Sequence, residues 1–140
     1  MARYISENFV PIKIHVKENP DGFKRFKAQW TPTQIVLDSN ASEKHRLEGF
    51  FAIDDFLGQL ELGLAKLHFQ SENYVEAEKR FREITEKHSA STAAPEATYW
   101  AGVSAYKASN DPEQLKQTGN LLKQKYPESE WAKKGSVWIP

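Results

Sequence analysis

The chain has 140 residues, enough for one domain or for two small subdomains sharing a core. Nineteen basic residues balance nineteen acidic ones, so no long-range field draws it to nucleic acid or to an anionic membrane. It has no cysteine, which removes disulfides, thiolate nucleophiles and thiolate metal sites together. No run approaches the ~20 apolar residues of a membrane helix. Residues Met1 to Asn8 lack the apolar centre of a signal peptide, so the expected location is the cytoplasm.

In chain order, Phe9-Val10-Pro11-Ile12-Lys13-Ile14-His15-Val16 alternates with the period of a strand. Val10, Ile12, Ile14 and Val16 share one face, and Pro11 places itself near the start or on an edge. Asn19-Pro20-Asp21 opens a short helix with Phe23 and Phe26 on one side, ending near Ala28. Gln34 to Leu37 is an apolar strand suited to cover on both faces. Turn residues Asp38 to Ser42 lead into a polar return strand from Glu43 toward Phe50, fit for a sheet edge.

From Ile53 the period becomes helical. Asp54 and Asp55 favour a helix start, and Phe56, Leu60, Leu64 and Leu67 recur on one face of a helix running to about Phe69. After a break at Ser71-Glu72-Asn73, Tyr74, Ala77, Phe81 and Ile84 form the stripe of a second helix, with Glu76, Arg80, Glu83 and Lys87 outside it. A third helix starts at Pro95 and Glu96 and carries Ala97, Trp100, Ala101 and Ser104. Asn110 to Gln114 stops it and caps a fourth with Leu115, Leu121 and Leu122, and a last short helix starts at Ser129. The aromatics Tyr99, Trp100, Tyr106, Tyr126, Trp131 and Trp138 gather near the C-terminus, more as filling of a thin helical core than as an interface.

Two resemblances follow from these residues. Leu64-Ala65, Tyr74, Ala77, Phe81 and Ile84 align with Gly102-Val103, Pro112, Leu115, Gly119 and Leu122 at a shift of roughly 38 residues, near the ~34-residue unit of tetratricopeptide repeats, with Lys125-Tyr126-Pro127 closing the second copy. Residues 56 to 135 are thus similar to that family, although two repeats need a neighbour to dock against. Residues 4 to 67 resemble the C-terminal part of a thioredoxin fold. The strand at 9–16, the helix at Asn19-Pro20, the Thr31-Pro32 step, the hairpin of Ile35–Leu37 and His45–Leu47, Gly49 and the helix from Asp54 fall in the family's order.

The resemblance implies a mixed class, α/β plus all-α: a partial thioredoxin-like β-α-β-β-α unit over residues 1–55, then a tetratricopeptide-like array of antiparallel helical hairpins over 56–140, with the helix 54–69 shared. Arg3 to Asn8 would stand at the end of the redox helix. The family's dithiol turn, and the strand that lies between those at 9–16 and 34–37, have no counterpart. The remaining strands would then pair directly, recruit another chain, or leave an edge open.

By resemblance, Thr31 would present its backbone to an extended peptide before Pro32, a position where the family has a cis bond, with Trp30 walling the groove. The function expected is a non-catalytic interaction or assembly module, binding protein or peptide segments or a second copy of itself. The alternative is a truncated thiol-disulfide oxidoreductase whose C-x-x-C lies upstream of Met1. No enzyme chemistry, cofactor, nucleic acid or membrane partner is expected. The four histidines have no ligand spacing, and no nucleophile elbow or Gly-rich phosphate loop occurs. Asp54, Asp55, Glu76 and Glu78 read as caps and solvated faces rather than catalytic acids.

Overall fold

A computed structural model describes residues 1–140. Seven helices and one two-stranded antiparallel sheet make a mixed, mostly helical protein: α1 (Ala2–Asn8), α2 (Pro20–Arg25), β1 (Thr33–Leu37), β2 (Glu43–Glu48), α3 (Ile53–Gln70), α4 (Tyr74–Lys87), α5 (Ala93–Ser109), α6 (Glu113–Lys125) and α7 (Glu130–Gly135). A single 3-10 turn, Ser136–Trp138, follows.

Local chemistry accounts for most boundaries. Asn19 caps α2 by accepting the Gly22 N–H at 2.9 Å, with Pro20 at the first helical position. The helix stops at Arg25, short of the expected Ala28, because Lys27 turns left-handed (φ 50°) and a Schellman closure forms, with Ala28 N–H donating to the Phe23 carbonyl. The same closure ends α3: Glu72 has φ 60° and Asn73 N–H donates to the His68 carbonyl. In the hairpin turn, the Asp38 carboxylate accepts from the Asn40 and Ser42 N–H groups at 2.9 Å each. Helix α5 begins at Ala93, two residues before the expected Pro95.

The expected strand at Phe9–Val16 is not a strand. Residues 10 to 14 make no backbone hydrogen bond, and Val10 and Ile12 are 89% and 82% exposed. A strand exists only by pairing, and β1 and β2 are the whole sheet, so alternation alone leaves this segment without a ladder. The β-α-β-β-α order expected for the first unit therefore lacks its first strand. Strand β1 is also less covered than its composition suggests, since only Val36 is fully buried.

Two cores form. In the helical region Leu62, Ala65, Ala77, Phe81, Ile84, Ala93, Ala97 and Ala101 are almost wholly buried together. Ala77, Phe81 and Ile84 of the stripe expected on α4 are its centre, whereas Tyr74 is only half-buried against Phe69. Glu76–Arg80, Glu78–Arg82 and Glu83–Lys87 pairs line the outer face of α4, each worth ~0.3–0.5 kcal/mol. The smaller core joins Val36 and Leu47 of the hairpin to Leu60 of α3, with Tyr4, Ile5, Phe9, Phe51, Phe56 and Leu67 around it. Helix α3 thus serves both cores. It approaches the hairpin closely because Gly63 has no side chain; a Cβ there would lie 3.1 Å from Val36 Cγ2 and 3.2 Å from His45 Cβ.

Candidate functional site

The loop Trp30-Thr31-Pro32 delivers the chain into β1. Trp30 is 66% exposed, Thr31 is exposed and Pro32 half-buried. The loop is held at both ends: the Thr33 hydroxyl donates to the Trp30 carbonyl at 2.7 Å, and Gly49 N–H donates to the Pro32 carbonyl at 2.8 Å. Between them, Thr31 offers an N–H and a carbonyl with no partner inside the chain. The Thr31–Pro32 peptide is cis.

The ladder sets what lies beyond the loop. Thr33 faces Glu48, Gln34 faces Leu47, Ile35 faces Arg46, Val36 faces His45, and a bulge then brings Leu37 opposite Glu43. Hydrogen bonds from Gly49 to Pro32 and from Asp38 to Ser42 bracket the strand. Antiparallel alternation then turns the backbone groups of Gln34 and Val36 toward β2 and those of Thr33, Ile35 and Leu37 away from it. Those outward groups form an open sheet edge that starts at Thr31.

The two edges of this sheet differ in chemistry. On β2 the Arg46 guanidinium clasps Glu43 through two hydrogen bonds of 2.7 and 2.6 Å, lies 3.6 Å from Glu48 and donates to the Phe26 carbonyl at 2.7 Å. Lys44 pairs with Asp38 at 3.3 Å. The hydrogen bond from Arg46 holds the Glu43 carboxyl below its usual range, and backbone donation, first from Ser42, does the same for Asp38. A strand carrying this many charges resists addition of another. The β1 edge, Thr-Gln-Ile-Val-Leu, carries none. Exposed apolar groups accompany it in the same half of the chain: Val10, Ile12, Ile14, Trp30 and Phe50.

Other polar features were not visible in the sequence, because no short spacing links their members. His88, at the end of α4, takes Asp54 on Nδ1 (2.5 Å) and Glu61 on Nε2 (3.6 Å). The two carboxylates address opposite ring nitrogens, so the three groups do not converge on a common point. His45 Nε2 meets Gln59 Oε1 at 2.9 Å, and Gln59 passes a hydrogen bond to the Thr92 hydroxyl at 3.1 Å. Burial pushes His45 below its ordinary value, with Lys66 acting in the same direction. His15, expected on a strand, lies in the unpaired segment just before the turn at residues 16–18. Burial also raises the Tyr4 hydroxyl, helped by Glu61. The sequence gives no ligand spacing for any of these groups, and none of them reaches Trp30, Thr31 or Pro32.

The C-terminal aromatics pack on one another. Tyr99 stacks on Trp138 at 4.7 Å and meets Trp131 at 5.1 Å, while Trp100 meets Phe69 at 5.0 Å and borders the larger core. Two buried polar atoms have no hydrogen-bond partner, Trp100 Nε1 in this cluster and Gln34 Oε1 on β1. No helix is long and apolar enough to cross a membrane. Against protein-family models, curated proteins and solved structures, the chain finds no match.

Proposed function

We propose that this chain is a non-catalytic protein-interaction module, a thioredoxin-like unit lacking its dithiol half and joined to tetratricopeptide-like helices, which accepts an extended protein segment along the β1 edge. The carrying observation is the uncharged open edge of Thr33, Ile35 and Leu37, continuous with the free backbone of Thr31 and flanked by exposed Trp30. Main-chain hydrogen bonds to such an edge supply affinity, and side-chain pockets beside it supply selectivity. The order of proline loop, hairpin, Gly49 and the helix from Ile53 supports the thioredoxin-like lineage. Consecutive antiparallel helical hairpins from α3 to α6, closed by α7, support the second resemblance.

The test is a screen of extended, uncharged peptides with amide exchange as the readout. Binding is expected to protect the N–H groups of Thr31, Thr33, Ile35 and Leu37, and Trp30→Ala is expected to weaken it by roughly tenfold, as for an exposed aromatic anchor. Unchanged binding in Trp30→Ala, with no protection along β1, refutes the assignment.

The open edge also favours a second reading, in which this chain is the C-terminal piece of a thiol-disulfide oxidoreductase and an upstream strand covers β1. An in-frame strand, helix and C-x-x-C encoded before Met1 would establish it.

A further inference from the structure

We propose that the occupant of the β1 edge is a second copy of this chain, paired β1 to β1 across a two-fold axis; this rests on the reading of β1 as a strand-accepting edge.

Self-pairing needs an edge that is its own complement. The outward residues of β1 are Thr33, Ile35 and Leu37, evenly spaced about Ile35. Antiparallel pairing centred there sets Ile35 of one copy opposite Ile35 of the other, and Thr33 of each opposite Leu37 of its mate. Every outward N–H and carbonyl of the strand then finds a partner, and the result is a four-stranded antiparallel sheet with the charged β2 strands outermost. Three or more strands are the usual condition for a sheet to be stable, and this one has two.

Charge permits the arrangement and chooses the edge. The strand carries no ionisable side chain, so no like charges oppose one another across the axis. Nineteen basic and nineteen acidic residues leave no net repulsion between copies. The alternative seam, β2 on β2 centred on Arg46, would set that guanidinium against its own copy, and it would draw Lys44, Arg46 and Glu48 from the pairs they already make with Asp38, Glu43 and one another. The exposed apolar residues Val10, Ile12 and Ile14 lie in the same N-terminal half of the chain as β1, which holds most of the large apolar side chains left exposed.

The experiment is sedimentation or light scattering of the whole chain from micromolar to millimolar concentration, combined with amide exchange at both extremes. The expected result is a concentration-dependent species of twice the 16.0 kDa chain mass, with Thr33, Ile35 and Leu37 N–H protection rising together with it. Ile35→Lys and Ile35→Glu should each weaken the dimer by roughly tenfold, and mixing the two variants should restore it, because opposite charges face each other across the seam. Near-UV circular dichroism of the tryptophans checks that each variant is folded, and the rescue on mixing remains decisive where one alone is less stable. A dimer indifferent to both substitutions overturns the proposal by placing the seam elsewhere. A monomer at all concentrations overturns it too, and the peptide screen then separates the cases: β1 amides protected by an added peptide leave the edge reading standing, and amides unprotected by either remove both.

Discussion

The first 52 residues and the remainder of the chain reach opposite solutions to the same problem. Of the fully buried residues, only Val36 and Leu47 precede α3, whereas of the large apolar residues that stay exposed, only Val75 and Val137 follow Ile53. The composition of the two parts does not explain this, since residues 9 to 16 are as apolar as any helical stripe. A helix satisfies its own backbone and asks its neighbours only for apolar contact, so hairpins such as α3–α4 and α5–α6 complete themselves from adjacent sequence. A strand must borrow hydrogen bonds from another strand, and the N-terminal part has two paired strands where its sequence patterns three.

The sharpest way to break this contrast is a truncation at the centre of the helical core. Phe81→Ala, at the centre of the helical core, is expected to cost about 3–5 kcal/mol in urea unfolding, the range for emptying a fully buried aromatic site. A cost below about 1 kcal/mol would mean that the helical region is not the stable part. The next effect is steric. Gly102 lets α5 lie against α6, and a Cβ there would fall within 2.6 Å of three atoms of Thr118. Gly102→Ala should therefore cost about 1–3 kcal/mol, partly recovered in the double variant with Thr118→Ala, and full additivity of the two changes would contradict the contact.

A third prediction concerns the seam between the two regions, where His45 is buried against α3. Its folded-state proton affinity is depressed by burial and by Lys66, so the unfolded chain binds the proton first as pH falls. The stability of the neutral ring is complete above about pH 6.5, declines as pH drops from there to the folded-state value, and is fully lost below it. Gln59 and Glu96 oppose this shift without reversing it. His45→Gln is expected to flatten the slope of unfolding free energy as pH falls below about 6.5, and an unchanged slope would assign it to other groups. The smallest effect should come from Ile12→Ser, within about 0.5 kcal/mol in dilute solution, as for any exposed position. A larger loss would show that the 10–14 segment is packed in solution.

Sequence patterns carried the elements whose causes are local. The periodicity of Tyr74, Ala77, Phe81 and Ile84, the Asn19 and Ser129 caps, and the turn residues Asp38 to Ser42 each act within a few positions, and the structure realises them. The Thr31–Pro32 step is equally local, so Trp30, Thr31 and Pro32 could be singled out before the fold was known. Boundaries moved where a left-handed residue such as Lys27 closed the helix early, a choice made by the backbone rather than by a side-chain pattern.

What only the tertiary structure decided is which polar and apolar groups meet across long separations. Asp54 and Glu61 meet opposite nitrogens of the His88 ring, Gln59 joins His45 to Thr92, and Arg46 reaches the Phe26 carbonyl, all through the placement of α3 and the hairpin. The alternation at Phe9–Val16 specified a side-chain arrangement that a strand could use, but a strand also needs a neighbour whose hydrogen bonds are free. The fold supplies that neighbour to β1 on one side only. Periodicity is a property of a segment, and pairing is a property of two.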